Sequence, residues 1–414
     1  MRDGSMEHGG SRYILDADKS DDENLVDGQF VECDSPEQDR RDKWRSRVRR
    51  FMGGAALTGT CLAGIGAVDI QYDIDRGKRE VANSVPILHT IYKAPLGTAE
   101  SEVATVIATG LGTRDSSYTA HLLTPYQAIG NVYAMEYSNR DINIDDLTEL
   151  LKDQLEKDGI KYVVADGFSA GGPILVGVMA ELKAEMPEID VVSVILNSSP
   201  VGKDSLTRRS RDAVDVLQKL LQVNPDLMYS AKIRLAAEIL ARHGDYQLDQ
   251  FPYIDTDEFV DLSKRMYKTK YINPHKASGS LVASQYRFLA AYNVKPSFKQ
   301  LAADDDKMMV FYTRAAEAKY DTVVDVDSSE ANAQQLADDY DLPYSSVRID
   351  GIGHANPNSR TDQYNDATEE YIIPDIEQRI GASQLQEYID NLNQGISSDL
   401  GDPTNIPTLP EGIE

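Results

Sequence analysis

The segment Gly167-Phe168-Ser169-Ala170-Gly171 follows the apolar run Val163-Val164-Ala165 and leads into Pro173–Leu182, a helix-like stretch of buried character. A Gly-x-Ser-x-Gly pattern between a strand and a helix is how a nucleophilic serine is mounted on a sharp turn. Gly167 and Gly171 leave room for the strand and helix to pass close together. A serine hydroxyl attacks an acyl carbon only when a neighbouring base takes its proton. His354, in the glycine-bearing loop Asp350-Gly351-Ile352-Gly353-His354, is the candidate base. The oxyanion formed by such an attack needs preorganised N–H donors. Ala170 at the helix N-terminus is one candidate donor, and Leu111, in the loop Thr109-Gly110-Leu111-Gly112-Thr113, is the second.

The elements that would position these groups alternate between strand and helix patterns. Strands are expected at 85–92, 104–108, 131–137, 162–165, 191–196, 307–312 and 344–349, with an amphipathic helix at 145–157 carrying Leu147, Leu150, Leu151 and Leu155 on one face. This alternation predicts an α/β fold, a mostly parallel sheet with helices on both faces. After Ser198-Ser199-Pro200 about a hundred residues of helical composition pass before the strand pattern resumes near Lys307.

The serine elbow, the glycine loop after an early strand and the late Gly-x-Gly-His loop occur in the chain order of the α/β-hydrolase family, and residues 85–392 resemble it. The resemblance implies a carboxylate after the next-to-last strand that orients the histidine. Asp321 in Tyr320-Asp321-Thr322-Val323-Val324 fits that pattern best, while Glu317 and Asp325 remain open. It also implies that the helical insertion, about residues 203–300, is a cap that roofs the site. Tyr267, Tyr271, Tyr286 and Phe288 are its candidates for lining an acyl pocket. The activity implied is that of a serine hydrolase acting on a small-molecule or lipid-like acyl substrate. The same fold carries acyltransferases, peptidases and proteins without catalysis, which stand as alternatives.

Composition sets outer limits. The 68 acidic against 42 basic residues give a net charge of −26, which opposes nucleic-acid binding and favours a neutral or cationic substrate. No histidine pair has zinc-helix spacing, no Cys-x-x-Cys occurs, and no phosphate loop or dinucleotide fingerprint is present, so no metal and no cofactor are expected. Cys33 and Cys61 both precede the hydrolase-like region, which excludes a cysteine nucleophile and a disulfide within it.

Seven basic residues between Arg40 and Arg50 precede an uncharged, glycine-rich run at 51–68. Eighteen helical residues extend about 27 Å, against a hydrocarbon thickness of about 30 Å. The expectation is a membrane partner engaged through a single N-terminal span, with residues 1–50 as a polar cytoplasmic tail and residues 69–396 as an extracytoplasmic hydrolase domain. A cleaved secretory signal and a soluble glycine-rich helix are the competing readings. Residues 397–414 read as a loose tail, and nothing in the pattern speaks to oligomeric state.

Overall fold

The computed structural model describes residues 67–230, 232–234, 260, 264, 277–303, 307–355 and 357–384. The tail expected at 1–50, nearly all of the span at 51–68, the tail at 397–414, both cysteines, and Tyr267 and Tyr271 lie outside the described residues. Among the described residues no helix is long and apolar enough to cross a membrane.

Among the described residues seven strands form one sheet: β1 (Ile87–Tyr92), β2 (Val103–Ala108), β3 (Asn131–Glu136), β4 (Tyr162–Phe168), β5 (Asp190–Asn197), β6 (Met309–Ala315) and β7 (Tyr344–Ile349). Their order is β1-β3-β2-β4-β5-β6-β7, with β1 antiparallel to β3 and every other pairing parallel. Connections run outward from β2 to β3 in one direction and from β4 through β5, β6 and β7 in the other. The order therefore reverses between β2 and β4, and the carboxyl ends of those two strands open the crevice where open α/β sheets bind ligands.

Because side chains alternate across a strand, each central strand feeds two cores. Ala104, Val106, Val163, Ala165, Val310 and Tyr312 enter one core. There they meet α3 (Ile144–Asp158) and α4 (Gly171–Glu185), numbered after α1 (Ala67–Val81) and α2 (Ser117–Leu122). Val103, Ile107, Val164, Phe168 and Phe311 enter the opposite core with Ala120, Tyr364, Ile376 and Ile380. Near-continuous burial of β2, β3, β4 and β6 is what a parallel sheet covered on both faces requires. The helix α3 starts with Asn143 accepting from the Asp145 N–H and stops at Gly159, whose φ of 66° fits a glycine terminator.

Between β5 and β6 the described insertion contains α5 (Arg208–Val223), a short 3₁₀ turn at Pro225–Tyr229, α6 (Gly279–Ala291) and α7 (Lys295–Leu301). At the end of this insertion Phe298 and Leu301 of α7 sit in the same core as the strands, and Gln300 Nε2 donates to the Ala180 carbonyl of α4 at 2.8 Å. Tyr286 packs among core residues and Phe288 stacks on Tyr292 with ring centroids 4.2 Å apart, so both aromatics serve packing. The N-terminal α1 rests on the 3₁₀ turn. There Lys78 pairs with Asp226 at 2.6 Å, and Asp73 accepts from the Ser230 hydroxyl at 2.6 Å.

A polar ladder crosses the middle of the sheet. Asp166 accepts from the Asn197 amide, whose oxygen accepts from the Thr313 hydroxyl, and the Tyr126 hydroxyl adjoins the same carboxyl. Burial pushes the Asp166 carboxyl up to about 7, against the opposing pull of Tyr126 and Asn197. An unfolded aspartate ionises near 4, at about 3.9. Between those values the folded chain keeps a proton the unfolded chain has released, so this group's contribution to stability is complete below pH about 4 and is lost as pH rises to about 7. Asp166→Asn removes that dependence: thermal melts from pH 4.5 to 8 are expected to show the variant gaining several degrees on the wild type as pH rises.

Candidate active site

The turn at Ser169 is built by close backbone approach. Ser169 follows β4 with φ 53°, a left-handed conformation that a non-glycine residue adopts only under constraint. Its N–H donates to the Asn197 carbonyl at 2.8 Å, and its carbonyl accepts from the Gly172 N–H at 3.1 Å. A Cβ on Gly167 would lie 2.3 Å from the Gly172 Cα, and one on Gly171 would lie 2.3 Å from the Ala108 carbonyl oxygen. The strand, the helix and the end of β2 thus meet at distances only glycine allows.

His354 Nε2 lies 2.8 Å from Ser169 Oγ, and His354 Nδ1 lies 2.9 Å from Asp321 Oδ2. An ionised carboxylate only accepts, so Nδ1 carries the proton toward Asp321 and Nε2 is left as acceptor for the serine hydroxyl. The other carboxylate oxygen of Asp321 accepts from the Val323 and Val324 N–H groups, both at 2.9 Å. The Asp321 side chain is fully buried, that of His354 is 20% exposed, and Ser169 at the other end of the line is buried. The segment after Asp321 is held in place because Leu206 pairs with Val324 and the Asp325 N–H donates to the Ser205 carbonyl.

Of the three carboxylates the sequence left open, Asp321 is the one that reaches His354. Asp325 caps α8 (Val326–Asp339) by accepting from the Ser328 N–H at 3.2 Å, and Glu317 pairs with Lys319 on the surface. His354, Asp321, Ser169 and Leu111 all follow the carboxyl ends of parallel strands, β7, β6, β4 and β2 respectively. Ala170 is the N-cap residue of α4, so its N–H lies at the positive end of that helix.

The loop bearing Leu111 lies against the elbow: a Cβ on Gly110 would fall 2.6 Å from the Ser169 Cβ and 2.8 Å from the Ala170 nitrogen. The Ser116 hydroxyl accepts from the Thr109 N–H at 3.0 Å, and the Tyr137 hydroxyl donates to the Thr109 carbonyl at 2.9 Å. From the insertion, Gln285 makes three hydrogen bonds to the same loop. Sequence reasoning missed Ser116, Tyr137 and Gln285. Each acts through its place in space, and Gln285 stands 173 residues along the chain from Gly112.

Metal-ligand spacing is absent from the sequence, yet the β1–β3 pairing and a bridge between Asp115 and Glu136 bring His89, Asp115 and Glu136 within 4.8 Å of one another through one ligand-type atom each. These groups already satisfy one another. His89 Nε2 lies 2.6 Å from Glu136 Oε2, Arg114 pairs with Glu136 Oε1 at 2.5 Å, and Asp115 accepts from the Ser117 N–H at 2.8 Å. Two carboxylates thus face a guanidinium and an imidazole that both pair with Glu136.

Gly110→Ala is expected to lower the thermal midpoint by several degrees, since overpacking against backbone costs about 1–3 kcal/mol. Gly381→Ala, where an added Cβ meets nothing within 4 Å, is expected to leave it unchanged or raise it slightly.

No protein-family model and no curated protein matches the sequence. Solved structures similar to it include a putative non-heme bromoperoxidase of Mycobacterium tuberculosis, at 14% identity and a TM-score of 0.44, covering 71% of this chain and 96% of that one. A monoacylglycerol lipase of Paleococcus ferrophilus aligns at 13% identity and 0.41, covering 72% and 98%. MenH of S. aureus aligns at 15% identity and 0.44, covering 71% and 98%. The assignment rests on the chain's own architecture: with this strand order, an antiparallel first strand, an elbow after β4, and an acid and a histidine after β6 and β7, the protein has the α/β-hydrolase fold.

Proposed function

We propose that this protein is a serine hydrolase that cleaves an ester or related acyl bond through an acyl-enzyme. The observation that carries the reading is the hydrogen-bonded line Ser169 Oγ, His354 Nε2, His354 Nδ1, Asp321 Oδ2, with steps of 2.8 and 2.9 Å at its two ends. As the Ser169 oxygen bonds to the acyl carbon, His354 Nε2 takes the hydroxyl proton and the carbonyl π electrons move onto oxygen. The Leu111 and Ala170 N–H groups receive that oxyanion. Collapse of the adduct expels the alcohol, which leaves with the proton from His354. Water then repeats the sequence on the acyl-enzyme and releases the acid. Asp321 holds the imidazole in its productive tautomer and offsets the charge of the imidazolium.

The net charge of −26 supports a neutral or cationic acyl substrate, small or lipid-like. The basic cluster before the apolar run at 51–68 supports a membrane-tethered form with the hydrolase domain outside the cytoplasm.

Turnover of p-nitrophenyl esters of graded chain length tests the reading. Ser169→Ala is expected to abolish turnover with the thermal midpoint within a few degrees of wild type; undiminished turnover removes the serine from the chemistry. Asp321→Asn is expected to lower kcat by about 10⁴, far beyond any effect of Asp325→Asn or Glu317→Gln, and the reverse ranking reassigns the acid. For the tether, a chain beginning at Ala67 retains all of α1 and is expected to fractionate as soluble and active, whereas the full chain sediments with membranes. Membrane association of the shortened chain overturns the tether.

A further inference from the structure

Gln285 lies on α6 of the insertion and is completely buried. Its Oε1 accepts from the Gly112 N–H at 2.9 Å, and its Nε2 donates to the Gly110 and Thr113 carbonyls, each at 3.3 Å. Both ends of one primary amide are thus spent on three residues of the stretch 110–113, with Leu111 enclosed between the gripped positions. The amide has a single workable orientation, because the flipped form would set an NH₂ against the Gly112 N–H. The Ala277 N–H adds a hydrogen bond to the Gly112 carbonyl at 3.2 Å, so the insertion holds Gly112 by its N–H and by its carbonyl.

This grip matters because of what lies on either side of it. Toward the sheet, the loop begins at Thr109, which Ser116 and Tyr137 anchor, and Gly110 is pressed against Ser169. Beyond Gly110 the chain turns through Gly112, at φ 81° and with nothing within 4 Å of an added Cβ, while Leu111 packs against the core and the Thr113 N–H closes the turn on the Gly110 carbonyl at 3.2 Å. Hydrogen bonds from the insertion then hold this turn from outside. The insertion is in turn fixed: Ser278 N–H donates to Asn139 Oδ1 at 2.9 Å, the Ser280 hydroxyl donates to the Asn139 carbonyl at 2.7 Å, and the Ser284 hydroxyl accepts from the Ile142 N–H at 2.8 Å.

We propose that Gln285 is a positioning residue that fixes the Leu111 N–H as an oxyanion donor, so that the oxyanion hole is complete only while α6 is docked on the sheet edge. The proposal rests on the serine-hydrolase reading above. Gln285 touches no reacting atom; it acts by denying the 110–113 backbone other conformations, which is the preorganisation an oxyanion hole depends on.

The test uses the full chain with Gln285→Leu and Gln285→Glu, a p-nitrophenyl ester as substrate, and an aryl trifluoromethyl ketone, whose hemiketal with Ser169 carries an oxyanion. In Gln285→Leu, kcat is expected to fall about a hundredfold, the cost of losing one oxyanion donor, with KM within threefold. The inhibition constant of the ketone should rise in proportion to the loss in kcat/KM. Gln285→Glu keeps an acceptor for Gly112 but sets a buried carboxylate against two carbonyls until it is protonated. Its kcat/KM relative to wild type should therefore recover at least tenfold from pH 8.5 to 6. Wild-type kcat in the leucine variant, ketone affinity unchanged while kcat falls, or a flat pH ratio in the glutamate variant each overturns the proposal, and the last decides it should the leucine variant not fold. A wild-type chain that neither hydrolyses the ester nor binds the ketone overturns the serine-hydrolase reading itself, and with it the role of Gln285.

Discussion

Everything at the mouth of the sheet depends on one close approach, the crossing of β4 into α4 at Ser169. A residue with φ 53° is held there because its N–H is committed to Asn197 and because Gly167 and Gly171 allow the Gly172 backbone and the end of β2 within distances no Cβ permits. The turn lifts Ser169 off the sheet while pointing the N-terminus of α4 back at it, so one constraint supplies both the hydroxyl and the Ala170 N–H. The polar ladder Asp166–Asn197–Thr313 lies in the strands just below and ties β4, β5 and β6 to one another where the elbow needs a rigid base.

Around that point the parallel sheet does the rest. Loops after β2, β4, β6 and β7 emerge on the same edge, which is why residues as far apart as Leu111 and His354 converge. The reversal of strand order between β2 and β4 leaves the gap into which the 109–113 loop folds. The Leu111 side of the gap is closed by α6 of the insertion and the Asp321 side by the pairing of 205–207 with 323–325, so insertion and sheet are built into one another.

Local patterns read well from the sequence, and long-range closures did not. The elbow was legible because strain demands glycines at set offsets from the serine, and the helix at 144–158 because its leucines repeat with helical period and its ends are capped. Strand β4 runs through Phe168, three residues beyond the expected end, because Asp166-Gly167 looks like a turn; in the sheet, Asn197 and Tyr126 satisfy the carboxyl and Gly167 pairs with Leu196. The choice among Glu317, Asp321 and Asp325 was open because a 3₁₀ turn at Ala318–Tyr320 lengthens the loop after β6, and only the folded loop shows which carboxyl faces inward. Gln285 carried no signal at all, since an amide on an amphipathic helix becomes informative only when its partners across the fold are known.

The central claim is that Ser169 is an activated nucleophile. Its most direct test is reaction of the folded protein with a fluorophosphonate, followed by mass mapping of the modified peptide and by the same measurement on His354→Ala. The account predicts a single adduct on Ser169 in the wild type and labelling slowed by orders of magnitude in the variant. Folded protein left unmodified, an adduct mapped to another residue, or labelling indifferent to His354 would contradict it.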